Sequence, residues 1–166
     1  MGKNGKTIKS SHLDKMGNAK MVNVKSKDET ERFAKAYGKV SMNSEAYELL
    51  KSGYSKKGDI FSVARIAGIM AVKKTHELIP LCHNLRISSV KIDFRLVDTN
   101  KSCEIVSEVE GIDRTGFEME ALTAVSVSAL TIYDMLKSVD RGVTISKIYL
   151  LEKSGGKSGH YVNKDF

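Results

Sequence analysis

The stretch FEMEALTAVSVSALTIYDMLKS, residues 117–138, decides the fold of this 166-residue chain. Its spacing predicts the longest helix of the protein. The apolar residues cover more than one face of that helix, and a helix that is apolar on most sides must be buried on most sides. One sheet covers only one side, so a second helix or another subunit must supply the other wall. A symmetric homo-oligomer is the simplest source of such a wall.

Three segments around this helix are predicted to be strands. Residues 90–97 alternate apolar and polar side chains, and residues 103–109 repeat the pattern. The two segments flank a turn at 98–100, which predicts an antiparallel hairpin. Residues 143–151 show the pattern of a third strand.

Two shorter helices are also expected. One covers residues 44–50, with Ser44 as its N-cap and Gly53 after its end, and the other covers residues 59–74. Strands and helices are mixed but do not alternate strictly. We therefore predict an α+β fold in which helices cover one face of a mainly antiparallel sheet.

Length and composition indicate one globular domain, since 41% of the residues are hydrophobic and 28% are charged. Residues 1–20 show no periodicity and are predicted to be a disordered tail, residues 21–161 a single domain, and residues 162–166 a C-terminal tail. No apolar run approaches the roughly 20 residues that cross a bilayer. Cys82 and Cys103 are too few for a disulfide framework, so we expect a reducing, cytoplasmic setting.

The net charge of +7 and the pI of about 9.3 predict an anionic partner or product. A nucleotide or other phosphate ester is one candidate, and nucleic acid is the alternative. Aromatic residues make up only 7% of the chain, without tryptophan, which disfavours a surface that stacks on single strands. The sequence also lacks a recognition-helix, RNP-like or KH-like signature. Individual lysines can equally serve solubility alone.

Asp134 and Lys137 are three residues apart and therefore neighbours on the surface of the long helix. Such a pair can be a plain surface ion pair. Because it emerges from a stretch suited to burial, either group can instead be shifted in pKa and serve as acid or base. Glu120 lies about 21 Å earlier along the axis, at about 1.5 Å per residue. Either the ligand is long, or each site draws on two chains.

Two segments that combine lysine and glycine are candidates for binding phosphate. Residues 153–159, KSGGKSG, follow a predicted strand, and their glycines allow backbone N–H groups to approach a phosphate. Leu151 occupies the position of the first Walker A glycine, so this is not that loop, and a flexible tail is the alternative. Residues 56–59, KKGD, open a predicted helix, which suits either an anion site or a solvated turn.

His76, Cys82 and His83 are the candidate metal ligands. Their spacing matches no common zinc pattern, and neighbouring residues of an extended segment point to opposite sides. We therefore expect no metal site. His83 is better suited to bind a ligand or carry a proton near neutral pH, and Cys82 to be a small buried residue.

Seven blocks of sequence, in a fixed order, identify a family resemblance. They are MVNV at 21–24, KGD at 57–59, ARIAGI at 64–69, LIPLCH at 78–83, MEALTA at 119–124, TIYDM at 131–135 and EKSGGKSG at 152–159. Together they resemble the molybdenum cofactor biosynthesis protein C family, the cyclic pyranopterin monophosphate synthases. The resemblance covers about residues 21–161.

This resemblance implies a ferredoxin-like α+β subunit that assembles as a hexamer, a trimer of dimers, with active sites at the dimer interface. It implies a GTP-derived triphosphate substrate, 3′,8-cyclised dihydro-GTP. The product is then cyclic pyranopterin monophosphate, and pyrophosphate is released. No metal, organic cofactor, nucleic acid or membrane is expected as a partner.

The functional residues of the family carry over to matching positions. The aspartate of the TIYDM block implies a catalytic role for Asp134, and the family lysines beside it map to Lys57 and Lys137. The residues implied to bind substrate are Leu81, Cys82, His83, Met119, Glu120, Lys153 and Lys157.

Three positions depart from the family pattern. Asn84 replaces the usual proline after Cys-His, Asn23 replaces an aspartate in the first block, and Arg114 replaces a lysine before Thr-Gly. The first change is expected to loosen the segment around His83. The other two are conservative.

Overall fold

The computed structural model describes residues 12–14, 16–157 and 159–164. In chain order the elements are β1 (Thr30–Ser41), α1 (Ser44–Ser52), β2 (Tyr54–Ser55), β3 (Gly58–Asp59), α2 (Ile60–Val72), α3 (Thr75–Leu78), β4 (Ile87–Val97), β5 (Ser102–Asp113), α4 (Glu118–Leu136), β6 (Thr144–Ser154) and β7 (Tyr161–Val162). Most of the predicted N-terminal tail lies outside the described residues. Within its described part, Leu13 forms a β-bridge with Ala19.

The main sheet has five antiparallel strands in the order β4-β5-β1-β6-β7, and β2 pairs separately with β3. Helices α2 and α4 pack on one face of the main sheet. The predicted α+β fold is therefore confirmed. The strands β1, β4, β5 and β6, with α2 and α4 between them, follow the β-α-β-β-α-β order that is typical of ferredoxin-like folds.

The central strand, β1, lies where no strand was predicted. Its residues Ala34, Ala36, Gly38 and Val40 are buried under the helices, whereas the residues between them face the other side of the sheet. A Cβ on Gly38 would overlap Val125 of α4. The strand therefore needs small inward residues, because α4 lies directly against it.

The predicted hairpin is confirmed, because β4 and β5 pair antiparallel with Val90 opposite Val109 and Phe94 opposite Ile105. The third predicted strand, β6, is confirmed as well. It extends to Ser154, so the first two residues of KSGGKSG belong to the sheet. Val162, which was assigned to the C-terminal tail, pairs with Glu152.

The three longer helices are confirmed, with one correction at a cap. The N-cap of α1 is Asn43 rather than Ser44, because the Asn43 side chain accepts a hydrogen bond from Ala46 N at 2.9 Å. Asp59 caps α2, and α4 begins directly after Phe117. Cap positions shift easily in sequence-based prediction, since Asn and Ser serve equally well there.

Helix α4 packs against both the sheet and the neighbouring helix α2. Ala121, Val125 and Ile132 are fully buried, and Ser128 Oγ donates to the Ala64 carbonyl of α2 at 3.1 Å. The second wall predicted for this helix is thus supplied, at least on one side, by α2 of the same subunit. By length and composition α4 could cross a membrane. However, 56% of its most apolar 18-residue stretch is buried inside the subunit, as in the core helix of a globular domain.

Candidate active site

Asp134 lies in the last turn of α4 between two lysines. Its Oδ2 is 2.7 Å from Lys57 Nζ, and its Oδ1 is 2.7 Å from Lys137 Nζ. Lys57 Nζ also donates to the backbone carbonyl of Asp134 at 3.0 Å. Lys57 comes from the turn between β2 and β3, and Lys137 directly follows α4. The structure therefore brings the three predicted catalytic residues together in one carboxylate–lysine cluster.

The two lysines set the protonation state of the carboxylate. Hydrogen bonds from Lys137 and Lys57 lower the pKa of Asp134 from 3.8 to about 2. Asp134 is therefore ionised at neutral pH in this subunit. The cluster lines an open cleft of about 400 Å³, together with Tyr133, Ser138 and Arg141.

The N-terminus of α2 does not form the anion site that was considered for residues 56–59. Asp59 Oδ1 accepts from Ser62 N at 2.9 Å, and Asp59 Oδ2 accepts from Ser62 Oγ at 2.8 Å. The carboxylate of Asp59 thus occupies the place at the helix end that an external anion would take. The helix end is thus capped by Asp59, which favours the alternative of a solvated turn, and Lys57 turns toward Asp134.

A second group of predicted residues lines a pocket of about 330 Å³ near the other end of α4. These residues are Leu81, Cys82, His83, Met119 and Glu120. His83 Nε2 lies 2.9 Å from the carbonyl oxygen of Val22. Because a carbonyl only accepts, Nε2 carries the proton in this hydrogen bond. The His83 ring is thereby held in place even though Asn84, not proline, follows it.

Glu120 is the titratable group at the centre of this pocket. It is 3% exposed, and burial raises its pKa from 4.5 to about 7. The nearby charges of Glu118 and Asp113 contribute in the same direction. Burial, and then Glu120, also raise the pKa of the Cys82 thiol. The pocket therefore holds two different groups. The carboxyl group of Glu120 can gain or lose a proton near neutral pH, whereas the thiol of Cys82 stays protonated.

A third cavity, of about 570 Å³, is lined by five cationic side chains and two acidic ones: Lys27, Arg32, Arg114, Lys153, Lys157, Asp28 and Glu118. We call it the cationic cavity. It shares Lys27, Thr115, Gly116 and Glu118 with the Glu120 pocket, so the two are neighbours. Lys153 Nζ lies 2.9 Å from Glu118 Oε1. The excess of positive charge suits a multiply charged anion.

The predicted residues thus fall into two groups at opposite ends of α4. Glu120 is in the first turn and Asp134 in the last, about 21 Å apart along the axis at about 1.5 Å per residue. Lys153 and Lys157 lie on the Glu120 side, in the cationic cavity. A single subunit does not bring Asp134 and Glu120 to the same ligand atom.

The candidate metal ligands do not converge. His76 lies in α3, whereas Cys82 and His83 line the Glu120 pocket. Within residues 12–14, 16–157 and 159–164, no group of three or more His, Cys, Asp or Glu side chains is arranged to hold a metal ion.

Several residues of these cavities were not predicted from the sequence: Lys27, Arg32, Glu118 and Arg141. Arg32 lies on β1, the strand that was missed, and Lys27 lies just before it. Arg114 carried a signal, because it replaces a family lysine beside Thr115 and Gly116. Glu118 is next to Met119 in the helix start but is not among the residues that the resemblance supplies.

Comparison with known proteins gives a consistent result. Residues 21–156 match the profile of the MoaC family. A protein of Thermomicrobium roseum is 54% identical over 154 residues, which cover 93% of both chains. A protein of Clostridium botulinum is 51% identical over 156 residues, covering 94% of this chain and 98% of the relative. One of Syntrophomonas wolfei is 52% identical over 151 residues, covering 91% and 96%. All three are named cyclic pyranopterin monophosphate synthase.

Proposed function

This chain belongs to the MoaC family, and we infer from that membership that it is a cyclic pyranopterin monophosphate synthase of molybdenum cofactor biosynthesis. We propose that it converts 3′,8-cyclised dihydro-GTP to cyclic pyranopterin monophosphate and releases pyrophosphate. We further propose a cytoplasmic enzyme that needs no metal or organic cofactor. The cationic cavity supports a triphosphate substrate, because its positive charge exceeds its negative charge.

The active site is proposed to be shared between two chains of a hexamer, a trimer of dimers. Asp134 with its two lysines lies at one end of α4, and Glu120 with the cationic cavity lies at the other. A second copy can place its Asp134 cluster beside the Glu120 pocket of the first. Apolar side chains on the outer helix surface also favour assembly, since Ile66, Met70 and Leu130 are more than half exposed. Sedimentation analysis tests this arrangement, and an active monomer would contradict it.

In the proposed reaction a sugar hydroxyl attacks the phosphorus atom that is attached to the ribose. An O–P bond forms, the bond to pyrophosphate breaks, and the hydroxyl proton passes to Asp134. Lys57, Lys153 and Lys157 stabilise the charge that builds up on the leaving pyrophosphate.

Proton transfer also needs a carboxylate of suitable basicity. The pKa of Asp134 is about 2 while both lysines bind it. A triphosphate that draws these ammonium groups away would raise that pKa and make Asp134 a better base. Glu120, whose pKa is about 7, can exchange a second proton during ring rearrangement.

The observation that carries this proposal is the carboxylate–lysine cluster itself. Exposed ion pairs contribute little to stability, so two lysines from separate elements on one exposed carboxylate are better explained by chemistry than by folding. Asp134→Asn keeps the side-chain shape but removes the base. We expect turnover to fall about 100-fold or more. Mass spectrometry of the products, after incubation with cyclised dihydro-GTP, measures it.

A matched control is Asp98→Asn. Asp98 forms an exposed ion pair with Lys51 at 2.9 Å, away from the proposed site, so this variant should turn over at the rate of the unmodified protein. An Asp134→Asn variant as active as the Asp98→Asn variant would refute the role of Asp134. A folded wild-type protein that forms no cyclic pyranopterin monophosphate would refute the proposed function as a whole.

A further inference from the structure

Arg32 makes an unusual set of contacts at the edge of the cationic cavity. Its Nε donates to the Asp113 carbonyl at 3.3 Å, its Nη1 to the Gly155 carbonyl at 3.1 Å, and its Nη2 to the Arg114 carbonyl at 3.4 Å. All three acceptors are backbone oxygens. One side chain thus joins the end of β5 and the residue after it to the segment after β6.

These contacts begin where the sheet ends. The pairing of β1 with β6 stops at Phe33 opposite Ser154, and the pairing of β1 with β5 stops at Thr30 opposite Asp113. Beyond these pairs the two flanking segments leave the sheet, and both carry cavity cations: Arg114 follows β5, and Lys157 follows β6. Arg32 therefore ties the two segments together where no further ladder hydrogen bonds hold them to β1.

The glycines of the KSGGKSG segment fit around this arginine. Gly155 and Gly156 have φ of 98° and 69°, which favours glycine. A Cβ on Gly156 would overlap Nη1 of Arg32, and a Cβ on Gly155 would overlap the carbonyl oxygen of Glu31. The backbone of β1 thus restricts position 155 to glycine, whereas a Cβ at position 156 would displace the guanidinium of Arg32.

A guanidinium carries five N–H groups in a rigid plane, and at least three of those of Arg32 are engaged by backbone carbonyls. A lysine ammonium has the same charge, but its three N–H groups share one nitrogen, so it cannot reach three carbonyls that Arg32 contacts with three separate nitrogens. The substitution Arg32→Lys therefore keeps the positive charge and removes the contacts that hold the two segments together.

We propose that Arg32 is a positioning residue, which braces the Gly155–Gly156 turn against the segment after β5 and so places Lys157 and Arg114 for binding the phosphates of the substrate. The identity of the anion rests on the proposed function, but the bracing rests on the contacts of Arg32. The probe for it is inorganic pyrophosphate, whose binding is measured by calorimetry without any turnover.

The test compares Arg32→Lys with the matched control Arg95→Lys, an arginine of β4 that pairs with Glu104 outside the cavities. We expect Arg32→Lys to weaken pyrophosphate binding about tenfold, because the cations of the cavity are less well positioned. A tenfold change corresponds to about 1.4 kcal/mol of binding free energy. Amide hydrogen exchange should become faster at residues 155–157 and 114–116, while the unfolding temperature stays close to that of Arg95→Lys.

A double-mutant cycle separates bracing from direct contact. Where Lys157→Met has already removed one positioned cation, Arg32→Lys should weaken binding less than about threefold, because the two effects are coupled. Full additivity of the two substitutions would mean that Arg32 contacts the anion independently and would overturn the proposal. Unchanged pyrophosphate affinity in Arg32→Lys would also overturn it.

A second variant disturbs the contact between Arg32 and the Gly155–Gly156 turn by changing the turn and keeping the arginine. Gly156→Ala should displace the guanidinium and weaken pyrophosphate binding as Arg32→Lys does. Gly159→Ala is its control, since Gly159 has a φ of 64° but its Cβ would meet no atom within 4 Å. Equal affinities of these two glycine variants would refute the bracing role. A wild-type protein that binds pyrophosphate but makes no product would refute the proposed function alone.

Discussion

Replacing Glu120 by Gln tests whether the folded subunit raises the pKa of this buried carboxyl group. In the unfolded chain the pKa of Glu120 is near 4.5, whereas in the folded subunit it is about 7. As pH rises past 4.5, ionisation lowers the free energy of the unfolded state, while the carboxyl group of the folded state stays protonated. Stability is therefore lost between pH 4.5 and about 7, and the loss is complete above both pKa values. Glutamine cannot ionise, so Glu120→Gln escapes this loss.

The size of the effect follows from the two pKa values. Their separation corresponds to about 3 kcal/mol above pH 8, at about 1.36 kcal/mol per pH unit. At pH 5.5 only the first part of the loss has occurred, about 1.4 kcal/mol. The stability of Glu120→Gln relative to the wild type should therefore increase by about 2 kcal/mol between pH 5.5 and pH 8.5.

Urea unfolding followed by circular dichroism measures this difference, with the protein concentration held constant because the proposed assembly would contribute to stability. The control is Glu48→Gln, an exposed glutamate of α1, whose effect should change by less than about 0.5 kcal/mol between the two pH values. A stability difference for Glu120→Gln that does not change with pH would refute the reasoning. Cations from outside this subunit would then be neutralising Glu120.

Two further predictions concern single contacts. Lys137→Met removes one of the two ammonium groups at Asp134, so the pKa of Asp134 should rise above about 2 in a carboxyl-carbon NMR titration, and an unchanged pKa would contradict the assigned cause. Gly68→Ala should lower the free energy of unfolding by about 1–3 kcal/mol in a denaturant titration, although alanine favours helix, because the new Cβ would overlap Ser128 Oγ and press on Ile92 Cδ1. An equally or more stable Gly68→Ala protein would contradict the close packing of α2 on α4.

Strong hydrophobic periodicity explains which elements could be predicted. The long helix and the hairpin have large apolar residues at regular spacing, and both were found close to their true bounds. The central strand β1 was missed because its inward residues Ala34, Ala36 and Gly38 are small. They are small because α4 packs directly on them, as the overlap between a Cβ on Gly38 and Val125 shows. The packing that makes β1 central also weakens its sequence pattern.

The residues of the site differ in how far the sequence could predict them. Helical spacing alone places Lys137 beside Asp134, and the structure has them in contact. Lys57 lies 77 residues away in sequence, so no local rule could pair it with Asp134, and only the family resemblance implied that the two act together. Neither helical spacing nor the family resemblance identified Arg32. It lies on the strand that was missed, and its partners are backbone carbonyls, which no side-chain pattern reveals.

Asp134 and Glu120 show how one helix can carry two carboxyl groups of opposite character. Asp134 is about half exposed and its pKa is lowered to about 2 by two lysines, whereas Glu120 is buried and its pKa is raised to about 7. Carboxyl groups whose environments push their pKa values apart are suited to different acid–base tasks at one pH. They lie at opposite ends of α4, about 21 Å apart along the axis, so the proposed assembly would let them act on one substrate across a subunit interface. An assembled enzyme would then combine an ionised carboxylate from one chain with a protonatable one from its neighbour, and neither chain alone would hold both.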